Sequence, residues 1–167
     1  IKFINFFENK LLLSSHSLNE ESVQSYLESI RKYKPVFMQA HPSAMFLLKE
    51  LAENRNLIMP KVPIISYTGE TLLEEDRKVL ENWFSGKIYG QYGSGEHHLS
   101  SAECVYKSGY HVNPFFSYVE SIKKDYGKEI ISTSLDNNSM PLIRYRIGDS
   151  IEGIEYSKCK CGSTWPR

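Results

Sequence analysis

The chain has 167 residues, 41% apolar and 24% charged, an ordinary globular composition with enough length for one buried core. Twenty basic residues balance twenty acidic ones, so no net field draws in nucleic acid or an anionic membrane surface, and any nucleotide must be held locally. No apolar run approaches the roughly 20 residues that span a bilayer, and Ile1-Lys2-Phe3-Ile4-Asn5 lacks the order of a signal peptide. The expectation is a cytoplasmic protein without a membrane or nucleic-acid partner; oligomeric state is left open.

The missing initiator methionine and the stop at Trp165-Pro166-Arg167 are expected of an internal piece of a longer chain. Asn19-Glu20-Glu21 opens a helical stretch in which Val23, Tyr26, Leu27, Ile30 and Tyr33 share one face, with acids in the first turn and Arg31-Lys32 in the last. Pro35 ends it by Lys34. Val36–Ala40 has strand length, and Pro42 suits the first turn of a helix that carries the apolar residues Phe46, Leu47, Leu48 and Leu51. Strand residues recur over 62–67. Thr71 with Glu74 then has the form of a capping box before a helix over about 72–84, and Lys87–Tyr92 supplies another strand. Strands alternating with helices at this interval predict a mostly parallel sheet, with ligands at the carboxyl ends of its strands.

Near residue 100 the composition changes to strand and turn. Segments 116–120, 129–135 and 142–147 alternate, separated by Lys124-Asp125-Tyr126-Gly127 and Asp136-Asn137-Asn138. The predicted class is α/β: an α/β lobe over 1–100, then a small antiparallel sheet or barrel over 101–167.

Four turns concentrate the chemistry: Tyr67-Thr68-Gly69-Glu70-Thr71, Tyr92-Gly93-Ser94-Gly95-Glu96, Arg144-Tyr145-Arg146-Ile147-Gly148-Asp149 and Cys159-Lys160-Cys161-Gly162. Taken singly, each glycine reads as a turn or a packing point. Together they supply what an ATP site needs. Gly69 and Gly93 allow close backbone approach, and Tyr92 offers an aromatic face. Ser94 is a hydroxyl donor for phosphate, and Glu96 is a hard-oxygen ligand of the kind Mg2+ accepts beside nucleotide phosphates. Asp149, held by a tight turn at Gly148, accepts from ribose hydroxyls.

The order Tyr-Thr-Gly-Glu, Tyr-Gly-x-x-Glu, Pro-Leu-Ile-Arg-Tyr-Arg-x-Gly-Asp, Cys-x-Cys-Gly resembles the adenylate-forming superfamily, and within it the phenylacetate-coenzyme A ligase and capsule-biosynthesis branch. The stretch Gly69–Asp149 carries most of the match and Pro141–Asp149 is its strongest part. The resemblance implies that ATP and a carboxylic acid, an aryl acid such as phenylacetate, form an acyl-adenylate and pyrophosphate, with transfer to coenzyme A following. By motif, Gly69 and Glu70 line the adenine, Tyr92 packs on the base, Glu96 holds magnesium as the catalytic residue, and Asp149 binds ribose. The acid lies along Tyr67–Gly93, near His41 or Phe37. The chain departs from the motif at Gly95, where such proteins carry a hydroxyl residue, with Ser94 one place earlier. Such proteins also have a phosphate loop upstream and a lysine-bearing domain downstream. Both lobes are thus expected to form one truncated N-terminal adenylation domain, inactive alone.

The three cysteines are an odd set, two of them separated by Lys160 alone, which fits metal ligation or free thiols better than a disulfide framework. Cys104, His111, Cys159 and Cys161 could close a tetrahedral structural Zn2+ site, in which case the chain without its nucleotide motifs would read as a zinc-organised structural or interaction module. Equally, Cys104 could be a small buried hydrophobe and the other two exposed thiols. His97 and His98 are rival ligands, better placed at the mouth of the nucleotide site.

Overall fold

A computed structural model of the chain describes residues 2–5, 7–96 and 98–167; His97 lies outside them. The chain divides into two units, Ile1–Ile88 and Tyr89–Arg167, with the boundary ahead of the composition shift near residue 100.

The first unit opens with an antiparallel hairpin of β1 (Lys2–Asn5) and β2 (Lys10–Leu13). Helix α1 (Val23–Tyr33) buries Val23, Tyr26, Leu27 and Ile30, the face its periodicity predicts. Its first turn differs from expectation. Asn19 and Ser22 lock the approach by exchanging backbone-to-side-chain hydrogen bonds, each 2.9 Å long, so Glu20 and Glu21 fall before the helix and no acid lies in its first turn. Lys34 ends α1 in a left-handed conformation, its N–H returning 2.8 Å to the Ile30 carbonyl.

Strand β3 (Phe37–Ala40), helix α2 (Pro42–Asn54) and strand β4 (Ile64–Tyr67) come next, and β3 pairs in parallel with β4 from Phe37↔Ile64 to Ala40↔Tyr67. Parallel pairing requires a crossover, which α2 supplies. Met45 takes an inward position on α2, while Leu47 is 38% exposed. Helix α3 (Glu74–Phe84) starts later than predicted, and the capping box does not form: Leu73 is the N-cap and no side chain caps it. Glu74 instead pairs with the buried Arg77 at 3.1 Å, and Arg77 donates to the Ile88 carbonyl and the Tyr67 hydroxyl. A buried guanidinium needs this many acceptors, so it claims the acid that would have capped the helix. Leu27, Met45, Ile65, Leu80, Phe84 and Ile88 centre the core of this unit.

Strand β5 (Lys87–Gly93) runs into the second unit, where it pairs antiparallel with β6 (Ser100–Glu103), and β6 with β7 (Tyr110–Val112). A separate three-stranded antiparallel sheet contains β8 (Ser117–Lys124), β9 (Gly127–Ser134) and β10 (Tyr145–Ile151), with β9 in the middle. The β8–β9 hairpin closes at Lys124↔Gly127 over the predicted turn. Its central strand is buried continuously from Glu129 to Ser132, as a strand covered on both faces must be. Leu99, Val112, Val119 and Ile130 form the second core. The expected α/β class, with a parallel strand–helix–strand lobe followed by a small antiparallel sheet, is therefore observed. Among the described residues no helix is long and apolar enough to cross a membrane.

Candidate functional site

In the first unit, the predicted site residues gather where β3 and β4 end. His41 stands at the N-terminus of α2 and donates from Nδ1 to the Thr68 carbonyl at 2.8 Å. The ring lies against Gly69: a Cβ there would sit 2.9 Å from His41 Cε1, and Gly69 itself has φ +79°. Only glycine meets both conditions. Glu70, assigned by motif to the adenine, has a local task that the sequence did not signal. Its two oxygens accept from the Ser43 hydroxyl at 2.6 Å and the Ser43 N–H at 2.8 Å. The carboxylate thus satisfies a free donor in the first turn of α2. The Ser43 hydroxyl, the Ser43 N–H and the nearby His41 hold its carboxyl below the usual range. Beside this cluster a groove of about 780 Å3 is lined by Phe37, Met38, Ala40, His41, Ala44 and Met45 among others, so His41 and Phe37, the residues expected near the acid, face one cavity.

In the second unit, Tyr92 and Asp149 meet. The half-buried Tyr92 phenol donates 2.6 Å to Asp149 Oδ2, and its ring packs edge-on against Tyr110 at 6.3 Å. Burial, followed by the hydrogen bond and the charge of Asp149, raises the phenol well above its ordinary value, so Tyr92 stays a donor. Asp149 is not in a tight turn. Gly148 and Asp149 lie within β10, where the ladder slips between Arg146 and Ser150, and Gly148 takes φ +98° at that irregularity. A bulge re-aims the side chain that follows it, and here it delivers an exposed carboxylate to the Tyr92 hydroxyl.

Glu96 is part-exposed and accepts from the Tyr145 hydroxyl at 3.3 Å. Its own backbone N–H, then Ser94 and Tyr145, hold its carboxyl below the usual range. Ser94 Oγ is buried and, among the described residues, finds no partner in full hydrogen-bond geometry, although it is near enough to favour the Glu96 charge. An ionised, accessible carboxylate of this kind fits a magnesium ion. Gly93 is bare for a reason internal to the chain: a Cβ would come 2.8 Å from the Leu99 carbonyl.

His98 does not edge a site mouth. It is 1% exposed, its Nδ1 meets the Ser132 hydroxyl, and its ring packs edge-on against Tyr145 at 4.8 Å. Burial lowers its pKa against the opposing pull of Glu96 and Asp149. Sequence reading also missed Glu129, 1% exposed and gripped by Arg146 through two bonds of 2.8 and 2.7 Å, with Lys124 at 3.7 Å. The Arg146 of the strongest motif is thereby a structural clamp between β9 and β10. Its legible signal was an acid inside a strand otherwise rich in Ile and Ser, facing an arginine on the next strand.

Cys104, His111, Cys159 and Cys161 converge at the far end of the same unit. The Ser108 hydroxyl and then the Cys161 backbone lower the Cys159 thiol to about 6. Cys161, although Ser163 N–H favours its thiolate, is pushed up by desolvation and by the neighbouring sulfurs.

No family model matches the chain. Protein CapK of Staphylococcus aureus is 26% identical over 147 residues, covering 86% of this chain and 32% of that protein. Among solved structures, an open conformation of 2-hydroxyisobutyryl-CoA ligase in complex with 2-HIB-AMP and CoA matches with TM-score 0.75 and 20% identity, over 90% of this chain and 38% of the ligase. The same ligase in its postadenylation state with 2-HIB-AMP matches with TM-score 0.75 and 21% identity, over 87% and 34%. The chain thus spans about a third of the length of each of these relatives. It has the fold of the corresponding stretch of an acyl-CoA ligase, as its likeness to the adenylate-forming proteins implied.

Proposed function

We propose that this chain supplies part of the nucleotide-binding wall of an ATP-dependent carboxylate-activating ligase, which joins a carboxylic acid to AMP and then passes the acyl group to coenzyme A. The observation that carries the reading is the Tyr92–Asp149 pair, 2.6 Å apart, on the same unit as the ionised Glu96. A carboxylate offers about four lone-pair sites. Tyr92 takes one and fixes the orientation, and the others accept from the two ribose hydroxyls. The exposed part of the Tyr92 ring packs on adenine, and Ser94 donates to phosphate from a position already shielded from water.

Bound at Glu96, magnesium neutralises phosphate charge and polarises the reacting phosphoryl group. The chain's own residues prepare that position: Tyr145 orients the carboxylate and Ser94 favours its charge. In the first unit, taken by itself, the acid occupies the groove beside His41 and Phe37, next to Gly69 and the Glu70-capped start of α2. That groove is lined mainly by aliphatic and aromatic side chains, which suits an aryl acid of the phenylacetate type.

Titration of ATP into the full-length parent tests the reading. Asp149→Ala is expected to weaken binding by about tenfold, equivalent to roughly 1.4 kcal/mol. A parent that binds ATP equally well with and without Asp149 removes the ribose assignment. A parent that binds none removes the ligase reading and leaves a structural module.

A further inference from the structure

The nucleotide reading uses none of the sulfur cluster at the carboxyl end of the chain. We propose that Cys104, His111, Cys159 and Cys161 bind one zinc ion through three thiolates and one imidazole nitrogen, and that this ion fastens the segment after β10 to the β6–β7 ladder. Their ligand atoms all lie within 4.8 Å of one another. Two thiolates about 2.3 Å from zinc on tetrahedral directions are about 3.8 Å apart, and a thiolate and an imidazole nitrogen about 3.5 to 3.6 Å. Cys104 Sγ and Cys159 Sγ are separated by 3.8 Å, and Cys161 Sγ and His111 Nε2 by 3.6 Å. Two opposite edges of the tetrahedron are therefore already at the lengths that zinc would impose. A disulfide needs sulfurs about 2.0 Å apart, and all three cysteines are free.

The backbone prepares the same geometry. Cys104 directly follows β6, and His111 pairs in register with Ala102 across β6 and β7. The other two ligands sit on a turn closed by two 2.9 Å bonds, from Gly162 N–H to the Cys159 carbonyl and from Cys159 N–H to the Ser163 carbonyl. Ser163 N–H also points at Cys161 Sγ, 3.5 Å away, and a donor aimed at sulfur favours the thiolate that a metal requires. Among the described residues, four side chains make up the group, the number a structural tetrahedral ion takes, and its three sulfurs select a soft, thiophilic metal.

The segment beyond β10 has little else to hold it. Among the described residues after Ile151, Cys159 alone is buried, while Tyr156 is 63% exposed. Ile154, part-buried against the second core, and the bond from Val112 N–H to the Pro166 carbonyl at 2.7 Å otherwise hold the segment. A metal that binds only the folded arrangement adds its binding free energy to folding.

The test uses the 167-residue chain, expressed in zinc-supplemented medium and purified without chelator. Elemental analysis is expected to give one zinc per chain, and Co2+ added to the metal-free protein is expected to produce the visible bands of a tetrahedral thiolate site. Cys161→Ser, at an exposed side chain, should lower zinc affinity at least tenfold and remove one sulfur-to-cobalt charge-transfer contribution. Chelation should lower the thermal midpoint of the wild type, and added zinc should restore it. Substoichiometric zinc together with a Co2+ titration lacking visible bands overturns the site. Stoichiometric zinc retained unchanged by both Cys161→Ser and Cys104→Ser places the ion elsewhere and also overturns it. Zinc bound at these residues with a thermal midpoint indifferent to chelation overturns the fastening role. The spectrum of the wild-type protein decides the site even if a variant fails to fold.

Discussion

Removing the Tyr92 hydroxyl tests whether the pair with Asp149 is an energetic unit. A hydrogen bond to a charged acceptor contributes about 1.5 to 3 kcal/mol when sheltered. Asp149 is exposed and Tyr92 half-buried, so solvent screening reduces the coupling to about 1 kcal/mol. Tyr92→Phe, Asp149→Ala and the double variant, compared with the parent sequence by urea denaturation at neutral pH, form a cycle that isolates this term. The double variant should be about 1 kcal/mol more stable than the sum of the single losses predicts. Because the fold raises the Tyr92 pKa, its contribution is complete below about pH 10 and disappears as pH rises through the higher folded value. Effects that add within about 0.3 kcal/mol refute the claim that these groups position one another.

Local geometry sets three further outcomes. Glu70→Gln should cost less than about 1 kcal/mol, since the cap it forms on α2 is exposed. Its lowered pKa places that contribution above about pH 4.3, to be lost as pH falls through the folded value, so acid thermal melts of the variant should be flatter. Gly86→Ala should destabilise by about 1 to 3 kcal/mol, because the new methyl would lie 1.9 Å from the Val62 carbonyl oxygen; an unchanged urea midpoint contradicts that packing. His98 resists protonation in the fold, so wild-type stability should fall as pH drops below about 6.5, and His98→Asn should reduce that slope when melts are compared between pH 7 and 5.

Periodicity gave the elements because it reports burial directly: Val23, Tyr26, Leu27 and Ile30 are inside for the reason their spacing states. The structure brings Cys104 and His111 together with the Cys159–Cys161 turn, one of the two readings that their spacing leaves open. What sequence could not resolve was competition between partners. Thr71 and Glu74 have capping-box spacing, but the buried Arg77 takes Glu74. Gly148 marks a positive φ without saying whether it serves a turn or a bulge, a choice made by the register of β9 against β10. His98 is close to Glu96 in sequence yet buried, its Nδ1 on the hydroxyl of Ser132, a partner 34 residues away that sequence spacing does not announce. Glu70 matches a nucleotide motif and also caps α2, a contact 27 residues away in sequence.

The most direct test of the central claim is ATP–pyrophosphate exchange by the full-length parent across aryl, fatty, amino and uronic acids. The account predicts exchange dependent on an aryl acid and reduced at least about tenfold, roughly 1.4 kcal/mol, by Asp149→Ala; a parent that neither exchanges with any acid nor binds ATP contradicts it.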